Sequence, residues 1–448
     1  MLSKSFSVII RNKIKPFKRV IRVDSDKSIS IRSFLIGAIS EDISTIKNVL
    51  ESDDVFSTID CLKKLGVNIK KVKSGSYKIY GKGLGSFCAK KNLKLDFGNS
   101  GTASRLLISI LSTTPNIEII VSGDKSLKKR SMKKLIYLMS EFGATFLPKN
   151  KYYFPLKLIS SQIPIGIEYK AGVSAQLKSA VILAGLNSFG NTKITEVSRS
   201  RDHTENMLFK NKNAIQIKSN FKKNIKIFGK QQLRKLDITV PGDPSSAAFF
   251  TALALLNNQS DLKIKNVGLN KTRIGFYHLL KKHGAIIKYD NFKKQNNEVR
   301  GDILIKTGNL KSIRASKAYY AIATDEYPIL FVMAALIKGT SVFTGIKSLA
   351  EKESNRIKEM QNILHQIGVK SISSTDSLKI FGKGIFNAEN KKITVPNLGD
   401  HRICMSAFVL ALLTGARTRI KNFETVNTSS PSFLKIMKNL GAKFEIKK

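Results

Sequence analysis

The stretch DFGNSGTASRLL, residues 96–107, contains residue types and spacings that could bind an anion. Small residues let a ligand approach the backbone closely, and amide groups at the start of a helix favour anions. Asn99, Ser100 and Gly101 occupy that place here, and Arg105 adds a planar, positively charged donor fork one turn later. The stretch predicts an anion-binding loop, although a glycine-rich turn with an N-cap would give the same pattern.

The elements that position this loop belong to a repeat. An amphipathic helix, a residue suited to a left-handed C-cap and an alternating strand recur in that order. The six C-cap positions are Gly66, Gly143, Asn213, Gly284, Gly368 and Gly441. Because they lie 70 to 84 residues apart, we expect one α/β unit to be used six times within globular domains.

A second group of helices is rich in small apolar residues. Its members are SAQLKSAVILAGL, PSSAAFFTALALL, YPILFVMAALI and HRICMSAFVLALLTG. They are apolar nearly all round, so we expect them to be buried. Polar residues at their starts could face a ligand together with the free amide groups, but Asp243, Ser245 and Asp400 are better explained as N-capping residues.

Composition limits the class of protein. The 448 residues are 42% hydrophobic, enough for two or three domain cores. No apolar run approaches the ~18 residues of a membrane span, and the basic N-terminus lacks the features of a signal peptide. Cys61, Cys88 and Cys404 show no metal or disulfide spacing, which favours a protein of the reducing cytoplasm.

The formal net charge is +45. Such a charge could indicate binding to nucleic acid. Lysine, isoleucine and asparagine are all abundant, however, and the lysines are spread over the whole chain. We therefore favour compositional drift together with small anionic ligands.

Nine stretches, taken in order, resemble the 5-enolpyruvylshikimate-3-phosphate (EPSP) synthase family, the 3-phosphoshikimate 1-carboxyvinyltransferases. They are DKSISIRSFLIGA, DFGNSGTASRLL, GDKSLKKRSM, SAQLKSAVILAGL, SRDHTENML, VPGDPSSAAFF, DEYPILFVMAA, KESNRI and GDHRICMSAFVLAL. The resemblance implies an α/β fold of two similar domains, each with three βαβαββ units and buried helices (an inside-out α/β barrel). It places the active site in the interdomain cleft. Residues 1–23 and 241–448 would form one domain, and residues 24–240 the other.

The resemblance also implies the reaction. Members of the family transfer the enolpyruvyl group of phosphoenolpyruvate to the 5-hydroxyl of shikimate 3-phosphate and release phosphate, a step of the shikimate pathway toward chorismate and aromatic amino acids. Glyphosate competes with phosphoenolpyruvate. The implied protein is a cytoplasmic monomer whose partners are these two substrates, with no nucleic acid and no membrane.

The two substrates bring two phosphates and two carboxylates to one site, so the site needs fixed cations. By resemblance, the residues for shikimate 3-phosphate are Lys27, Ser28, Arg32, Ser174, Ala175, Gln176, Arg201, Asp325 and Lys352. Those for phosphoenolpyruvate are Lys27, Gly101, Arg130, Gln176, Arg356 and Arg402. Asn99, Ser100 and Arg105 would support them, and no metal is required.

The reaction also needs proton transfer. The 5-hydroxyl loses a proton, and C3 of the enolpyruvyl group gains one and loses one. We assign Asp325 as the base toward the 5-hydroxyl, and Glu353 and Lys27 to the C3 proton and the leaving phosphate. A role for Asp325 as a hydroxyl acceptor alone stays open.

The sequence departs from the family pattern at several positions. These are Asp24-Ser25 for Pro-Gly, Ile31 for His, Ser131 for Pro, Ala350-Glu351 for Arg-Val, Asn355 for Asp, and Thr428 near a Lys of some members.

Two alternative functions were considered. UDP-N-acetylglucosamine enolpyruvyl transferase shares the fold but usually has a reactive cysteine in a mobile loop. Here Cys61 lies in a helix pattern and Cys88 follows GLGSF, away from Arg130. A basic nucleic-acid-binding protein would show salt-sensitive retention on DNA or RNA, but that function explains neither the repeats nor the placement of the cations.

Overall fold

A computed structural model describes residues 5–219 and 222–448, which form two compact units. Unit 1 contains the described residues up to Asp24, Pro241–Lys293 and Val299–Lys448; unit 2 contains Ser25–Val240 and Lys294–Glu298. The division expected from the sequence differs from these units at Asp24 and at residues 294–298, which form the turn of a long hairpin. As a division into domains it stays a prediction.

Unit 2 contains the following elements in chain order. Its helices are α1 (Lys27–Ile39), α2 (Asp53–Lys64), α3 (Gly101–Ser112), α4 (Lys133–Glu141), α5 (Ala175–Leu186) and α6 (His203–Met207). Its strands, numbered after β1 and β2 of unit 1, are β3 (Ile43–Lys47), β4 (Asn68–Lys73), β5 (Ser76–Tyr80), β6 (Leu93–Asp96), β7 (Glu118–Ser122), β8 (Thr145–Leu147), β9 (Leu156–Ile159), β10 (Glu168–Ala171), β11 (Asn191–Glu196), β12 (Ile215–Ser219), β13 (Lys223–Phe228) and β14 (Ile238–Thr239).

Unit 1 contains the remaining elements. Its helices are α7 (Pro244–Leu256), α8 (Gly275–Lys282), α9 (Lys317–Ala323), α10 (Tyr327–Leu336), α11 (Arg356–Gln366), α12 (His401–Thr414) and α13 (Phe433–Asn439). Its strands are β1 (Ser7–Ile10), β2 (Lys18–Ile21), β15 (Asp261–Gly268), β16 (Ile286–Gln295), β17 (Glu298–Lys306), β18 (Arg314–Ala315), β19 (Gly339–Thr344), β20 (Ser371–Ser373), β21 (Ser377–Gly382), β22 (Lys392–Val395), β23 (Arg417–Ile420) and β24 (Glu445–Lys447).

Each unit contains three four-stranded sheets with the same topology. In unit 2 their strand orders are β14-β3-β5-β4, β6-β7-β9-β8 and β10-β11-β13-β12, and in unit 1 they are β2-β15-β17-β16, β18-β19-β21-β20 and β22-β23-β1-β24. The first two strands of each sheet run parallel, as β6 and β7 do on either side of α3. In the β6–β9 sheet the last two strands, β9 and β8, are antiparallel. The six copies of a βαβαββ unit expected from the sequence are present, and over the described residues no sheet closes into a barrel.

The helices of small apolar residues lie inside the units. Every residue of α7, α10 and α12 is buried, and α1, α3 and α5 are buried over most of their length. A helix that is apolar on all sides has no face suited to water, so the amphipathic helices and sheets surround it. Within the described ranges, no helix is both long and apolar enough to cross a membrane.

The amphipathic helices end as the sequence predicted, with one exception. Gly66, Gly143, Gly284, Gly368 and Gly441 have φ between 75° and 100°, the left-handed conformation of a C-cap glycine. The prediction of a left-handed C-cap at Asn213 was wrong. Asn213 has no positive φ, because α6 already ends at Met207 and a turn separates the two.

Three glycines allow a strand to cross closely over a buried helix. A Cβ added to Gly81, Gly229 or Gly382 would lie 2.0, 1.7 or 1.9 Å from a helix-end carbonyl oxygen, that of Ser40, Ser188 or Ile337 respectively. Gly81, Gly229 and Gly382 come at or just after the ends of β5, β13 and β21. The same close approach therefore recurs in three of the six βαβαββ repeats.

Substituting Gly382→Ala is therefore expected to destabilise unit 1. The added methyl would also lie 2.2 Å from the carbonyl oxygen of Ala334, and both contacts are with backbone. Overpacking of this kind costs about 2 kcal/mol or more, which would lower the Tm by about 4 °C or more. Differential scanning calorimetry measures the shift. Gly172→Ala is the control, because a Cβ there meets nothing within 4 Å; equal Tm values for the two variants would contradict the prediction.

Candidate functional site

The helices α1, α3 and α5 of unit 2 begin at the same end of the unit. Arg32, the sixth residue of α1, donates from Nη2 to Oγ of Ser179, the fifth residue of α5, at 3.3 Å. Gln176, near the start of α5, donates to Thr102 Oγ1, near the start of α3, at 3.0 Å. Three helix N-termini therefore lie on one side of unit 2, an arrangement that favours anions.

Gly101 is the first residue of α3 and lies beneath two guanidinium groups. A Cβ built on it would be 2.7 Å from Arg105 Nη1 and 3.1 Å from Arg130 Nη1. Arg105 donates to the carbonyl oxygen of Gly101 and to Gln176 Oε1, both at 3.0 Å. Two cations thus converge on a residue without a side chain, where an anion could approach the backbone.

The loop before α3 holds Arg130. Asn99 Oδ1 accepts a hydrogen bond from Arg130 Nη2, and Asn99 Nδ2 donates to Asp124 Oδ2 at 2.7 Å. Ser126 Oγ accepts a second bond from Arg130 Nη2 at 3.2 Å. Ser100 is the N-cap and accepts from the amide of Ala103. Asn99 thus contacts Arg130 and Ser100 caps α3, and their supporting roles at a ligand site stay a prediction.

Lys27 and Arg32 both belong to α1. The Nζ of Lys27 lies 2.9 Å from Oδ2 of the buried Asp54, at the start of α2. Arg32 is buried and donates from Nη1 to the carbonyl oxygen of Ser28 and from Nε to Thr204 Oγ1, at 3.2 and 3.0 Å. Both cations are thus held in fixed positions by neighbouring elements.

The remaining unit 2 candidates lie at the start of α5 and before α6. Ser174 caps α5, accepting from the amide of Leu177 at 3.4 Å, and Ala175 is the first helical residue. Arg201 lies in the loop between β11 and α6 and is half-buried.

In unit 1, Arg356 is surrounded by carboxylates. It is the first residue of α11 and only 1% of its side chain is exposed. Its Nε lies 2.9 Å from Asp400 Oδ2, its Nη2 2.6 Å from Glu353 Oε2, and its Nη1 3.7 Å from Asp325 Oδ1. Burial alone would lower the pKa of Arg356, but these carboxylates outweigh burial and raise it further. Arg356 therefore stays charged and holds the two carboxylates, Asp325 and Glu353, among the three candidate proton-transfer residues.

Arg356 and Arg402 also keep donors available. Nη1 of Arg356 and Nε and Nη1 of Arg402 are buried without a hydrogen-bond partner. Arg402 is the second residue of α12 and lies over the ring of Phe249, 5.8 Å from its centroid. Unpaired buried guanidinium donors are costly, so an anionic ligand would stabilise this part of unit 1. Lys352 follows the 3-10 helix Lys347–Glu351 and precedes Glu353.

The chain is similar to known proteins in three comparisons. The family model "EPSP synthase (3-phosphoshikimate 1-carboxyvinyltransferase)" matches residues 11–437. The 3-phosphoshikimate 1-carboxyvinyltransferase of Zymomonas mobilis is 37% identical over 98% of this chain and 97% of its own length, and that of Bacillus subtilis is 36% identical over 97% and 99%.

The chain belongs to the EPSP synthase family. A solved EPSP synthase from Acinetobacter baumannii has a TM-score of 0.85 and 34% identity, covering 99% of this chain and all of that one. The enolpyruvyl transferase NikO from Streptomyces tendae, with a TM-score of 0.77, 99% coverage of both chains and 13% identity, shares the fold. These matches favour EPSP synthase over the two alternatives, a UDP-N-acetylglucosamine enolpyruvyl transferase and a nucleic-acid-binding protein.

Several departures from the EPSP synthase pattern have a structural explanation. Asn355 caps α11, its Oδ1 accepting from the amide of Lys358 at 3.1 Å. Asp24 Oδ2 accepts from Ser430 Oγ and from the amide of Ser432, at 2.8 and 3.0 Å. Ile31 is buried in the apolar core of unit 2. Ser131 Oγ accepts from the amide of Lys133, the first residue of α4, at 3.3 Å. Nothing in the structure explains Ala350-Glu351, and Thr428 Oγ1 donates to the carbonyl oxygen of Thr425 in its own turn.

Sequence reasoning missed two acidic residues that contact candidate site residues. Asp54 pairs with Lys27, and Asp400 both caps α12 and binds Arg356. Asp400 was interpreted as an N-cap only. The signal available was an acidic residue at a helix start, which alone does not reveal a buried partner. Across the residues given coordinates, no group of three His, Cys, Asp or Glu side chains could hold a metal ion.

Proposed function

We propose that this chain is a 3-phosphoshikimate 1-carboxyvinyltransferase that transfers the enolpyruvyl group of phosphoenolpyruvate to the 5-hydroxyl of shikimate 3-phosphate and releases phosphate. This reaction belongs to the shikimate pathway, toward chorismate and the aromatic amino acids. The observation that carries the proposal is family membership over residues 11–437, together with cations fixed at helix starts. Three cysteines that form no disulfide support a cytoplasmic location. We also expect a monomer.

The substrate assignments divide between the units. In unit 2 we assign Lys27, Gly101, Arg130 and Gln176 to phosphoenolpyruvate, and in unit 1 Arg356 and Arg402. The shikimate 3-phosphate residues are Lys27, Ser28, Arg32, Ser174, Ala175, Gln176, Arg201, Asp325 and Lys352. The convergence of Arg105 and Arg130 on Gly101 and the free donors of Arg356 and Arg402 support an anionic ligand.

The chemistry proceeds by addition and elimination. The 5-hydroxyl oxygen forms a bond to C2 of phosphoenolpyruvate while its proton passes to a base, for which we propose Asp325. C3 gains a proton in the addition and loses one in the elimination, when the C2–O bond to phosphate breaks. We assign Glu353 and Lys27 to these steps. Arg356 lies within 3.7 Å of Asp325 and within 2.6 Å of Glu353, so it would orient both carboxylates.

A phosphate-release assay tests the proposal. The purified protein is expected to release phosphate only with phosphoenolpyruvate and shikimate 3-phosphate together, and without added metal. Each substrate is omitted in turn, and UDP-N-acetylglucosamine replaces shikimate 3-phosphate in a further sample. Release without shikimate 3-phosphate, or release that depends on the UDP-sugar, would contradict the assignment.

A further inference from the structure

A buried group of four charged side chains lies outside the residues assigned to substrate. Lys178 of α5 has no exposed side-chain surface, and its Nζ lies 2.8 Å from Glu196 Oε1 and 2.8 Å from Glu205 Oε1. Lys223 of β13 lies 3.0 Å from Glu205 Oε1 and 3.8 Å from Glu196 Oε2. Two cations and two anions thus balance in charge, as buried ionic groups must.

The two glutamates flank one loop. Glu196 is the last residue of β11, and Glu205 lies in α6. Residues 197–202 between β11 and α6 include Arg201, which we assign to shikimate 3-phosphate. Because Lys178 Nζ contacts the glutamates on both sides of this loop, it ties the two ends of the loop to α5.

The same oxygen of Glu196 also holds the loop directly. Glu196 Oε1 accepts hydrogen bonds from the amide and the hydroxyl of Ser200, each at 2.7 Å. Ser200 immediately precedes Arg201. The position of the Glu196 carboxylate, which Lys178 fixes, therefore determines the backbone position from which Arg201 extends.

The ionisation of the group agrees with this geometry. Burial alone would lower the pKa of Lys178, but Glu205 and Glu196 outweigh it and raise the pKa. Burial likewise opposes ionisation of Glu205, but Lys178 and Lys223 lower its pKa overall. Lys178 and Glu205 remain charged, so the contact between them is an ionic hydrogen bond, which is short and directional.

We infer that Lys178 is a positioning residue, which holds the 197–202 loop at both ends and thereby sets the affinity for shikimate 3-phosphate. The inference rests on the proposed function for its substrate. Lys178 acts through Glu196, Ser200 and Glu205 and does not itself bind the substrate. A buried ionic group of this kind contributes specificity of position more than stability.

Lys178→Met tests the inference. The variant leaves Glu196 and Glu205 with Lys223 alone, and we expect the KM for shikimate 3-phosphate to rise about tenfold or more, because small displacements of a binding group are costly. The KM for phosphoenolpyruvate should change less than about threefold, since its assigned residues lie outside the loop. Hydrogen exchange should become faster at the amides of residues 197–202.

A double variant separates positioning from stability. Lys178→Met with Glu205→Leu removes one cation and one anion, so the Tm should recover relative to the single variant while the KM for shikimate 3-phosphate stays high. Lys193→Met is the matched control, because Lys193 forms an exposed 2.8 Å pair with Glu168 on the outside of the same sheet; we expect no change in either KM.

Two results would overturn the inference. One is a KM for shikimate 3-phosphate within about twofold of the parent value in both Lys178 variants. The other is unchanged exchange at residues 197–202. The exchange measurement needs no substrate, so it tests the loop even if the parent protein shows no phosphate release, a result that would reject the proposed function instead.

Discussion

Replacing Arg356 with methionine is expected to reduce kcat/KM about 100-fold or more, the largest effect of any single substitution considered. The change leaves the buried Asp400 and the carboxylates of Glu353 and Asp325 without the cation between them. Breaking a buried ion pair by removing one partner costs about 3–5 kcal/mol of folding stability. Separately, removing a donor aimed at the reacting groups typically costs about 100- to 1000-fold in rate. Steady-state kinetics with both substrates, alongside the Tm, measure the effect.

Arg356→Lys is the comparison variant. Lysine keeps the charge, so most of the stability should remain. It cannot reproduce a planar fork that reaches Asp400 and Glu353 and still leaves Nη1 available. We expect the KM for phosphoenolpyruvate to rise about tenfold with a small change in Tm. If both variants lose Tm while the folded protein keeps the parent kcat and KM values, Arg356 has a structural role only.

We expect the parent protein to be inhibited by glyphosate. Gly101→Ala is expected to weaken the binding of glyphosate about five- to 150-fold and the binding of phosphoenolpyruvate less. The added Cβ would lie 2.7 Å from Arg105 Nη1 and 3.1 Å from Arg130 Nη1, so both guanidinium groups must move. Overpacking costs about 1–3 kcal/mol, which corresponds to the stated range of affinity. The inhibition constant and the KM for phosphoenolpyruvate, measured on one variant, give the ratio.

The structure also distinguishes two explanations of Gly101. The sequence left open that this glycine serves only a turn with positive φ, in which case alanine would destabilise the fold. Gly101 instead lies in the first turn of α3, and its φ is not positive. The atoms it would meet are the ends of two long side chains, so the Tm should change little. A lower Tm with an unchanged ratio of the two constants would contradict this explanation.

The sequence predicted the repeated fold because its signals are local. Each glycine C-cap and each apolar helix is encoded within about 15 residues, and the six units follow from their spacing. The predicted C-cap at Asn213 was wrong. In sequence, an asparagine after an apolar helical pattern has the same appearance whether or not the helix extends to it. In the structure α6 ends at Met207, six residues before Asn213.

The candidate site was harder to predict, because its partners are distant in sequence. Lys27 meets Asp54, and Arg356 meets Asp400 across 44 residues. The sequence identified the cations through their motifs but not the acids that fix them. Nor could it show that Lys178, in a helix that otherwise looks apolar, is paired with Glu196 and Glu205.

The pairing of the N-terminal strands β1 and β2 with late strands of unit 1 affects the order in which the chain can fold during synthesis. Strand β1 pairs with β23 and β24, so that Val8 lies opposite Ile420 and Ile446, and β2 pairs with β15. Nearly all of unit 2, Ser25–Val240, is one continuous segment. Domains generally fold as they leave the ribosome, and distant pairings form late. Unit 2 can therefore fold while β1 and β2 still lack partners, and β1 stays unpaired until almost the whole chain has been made.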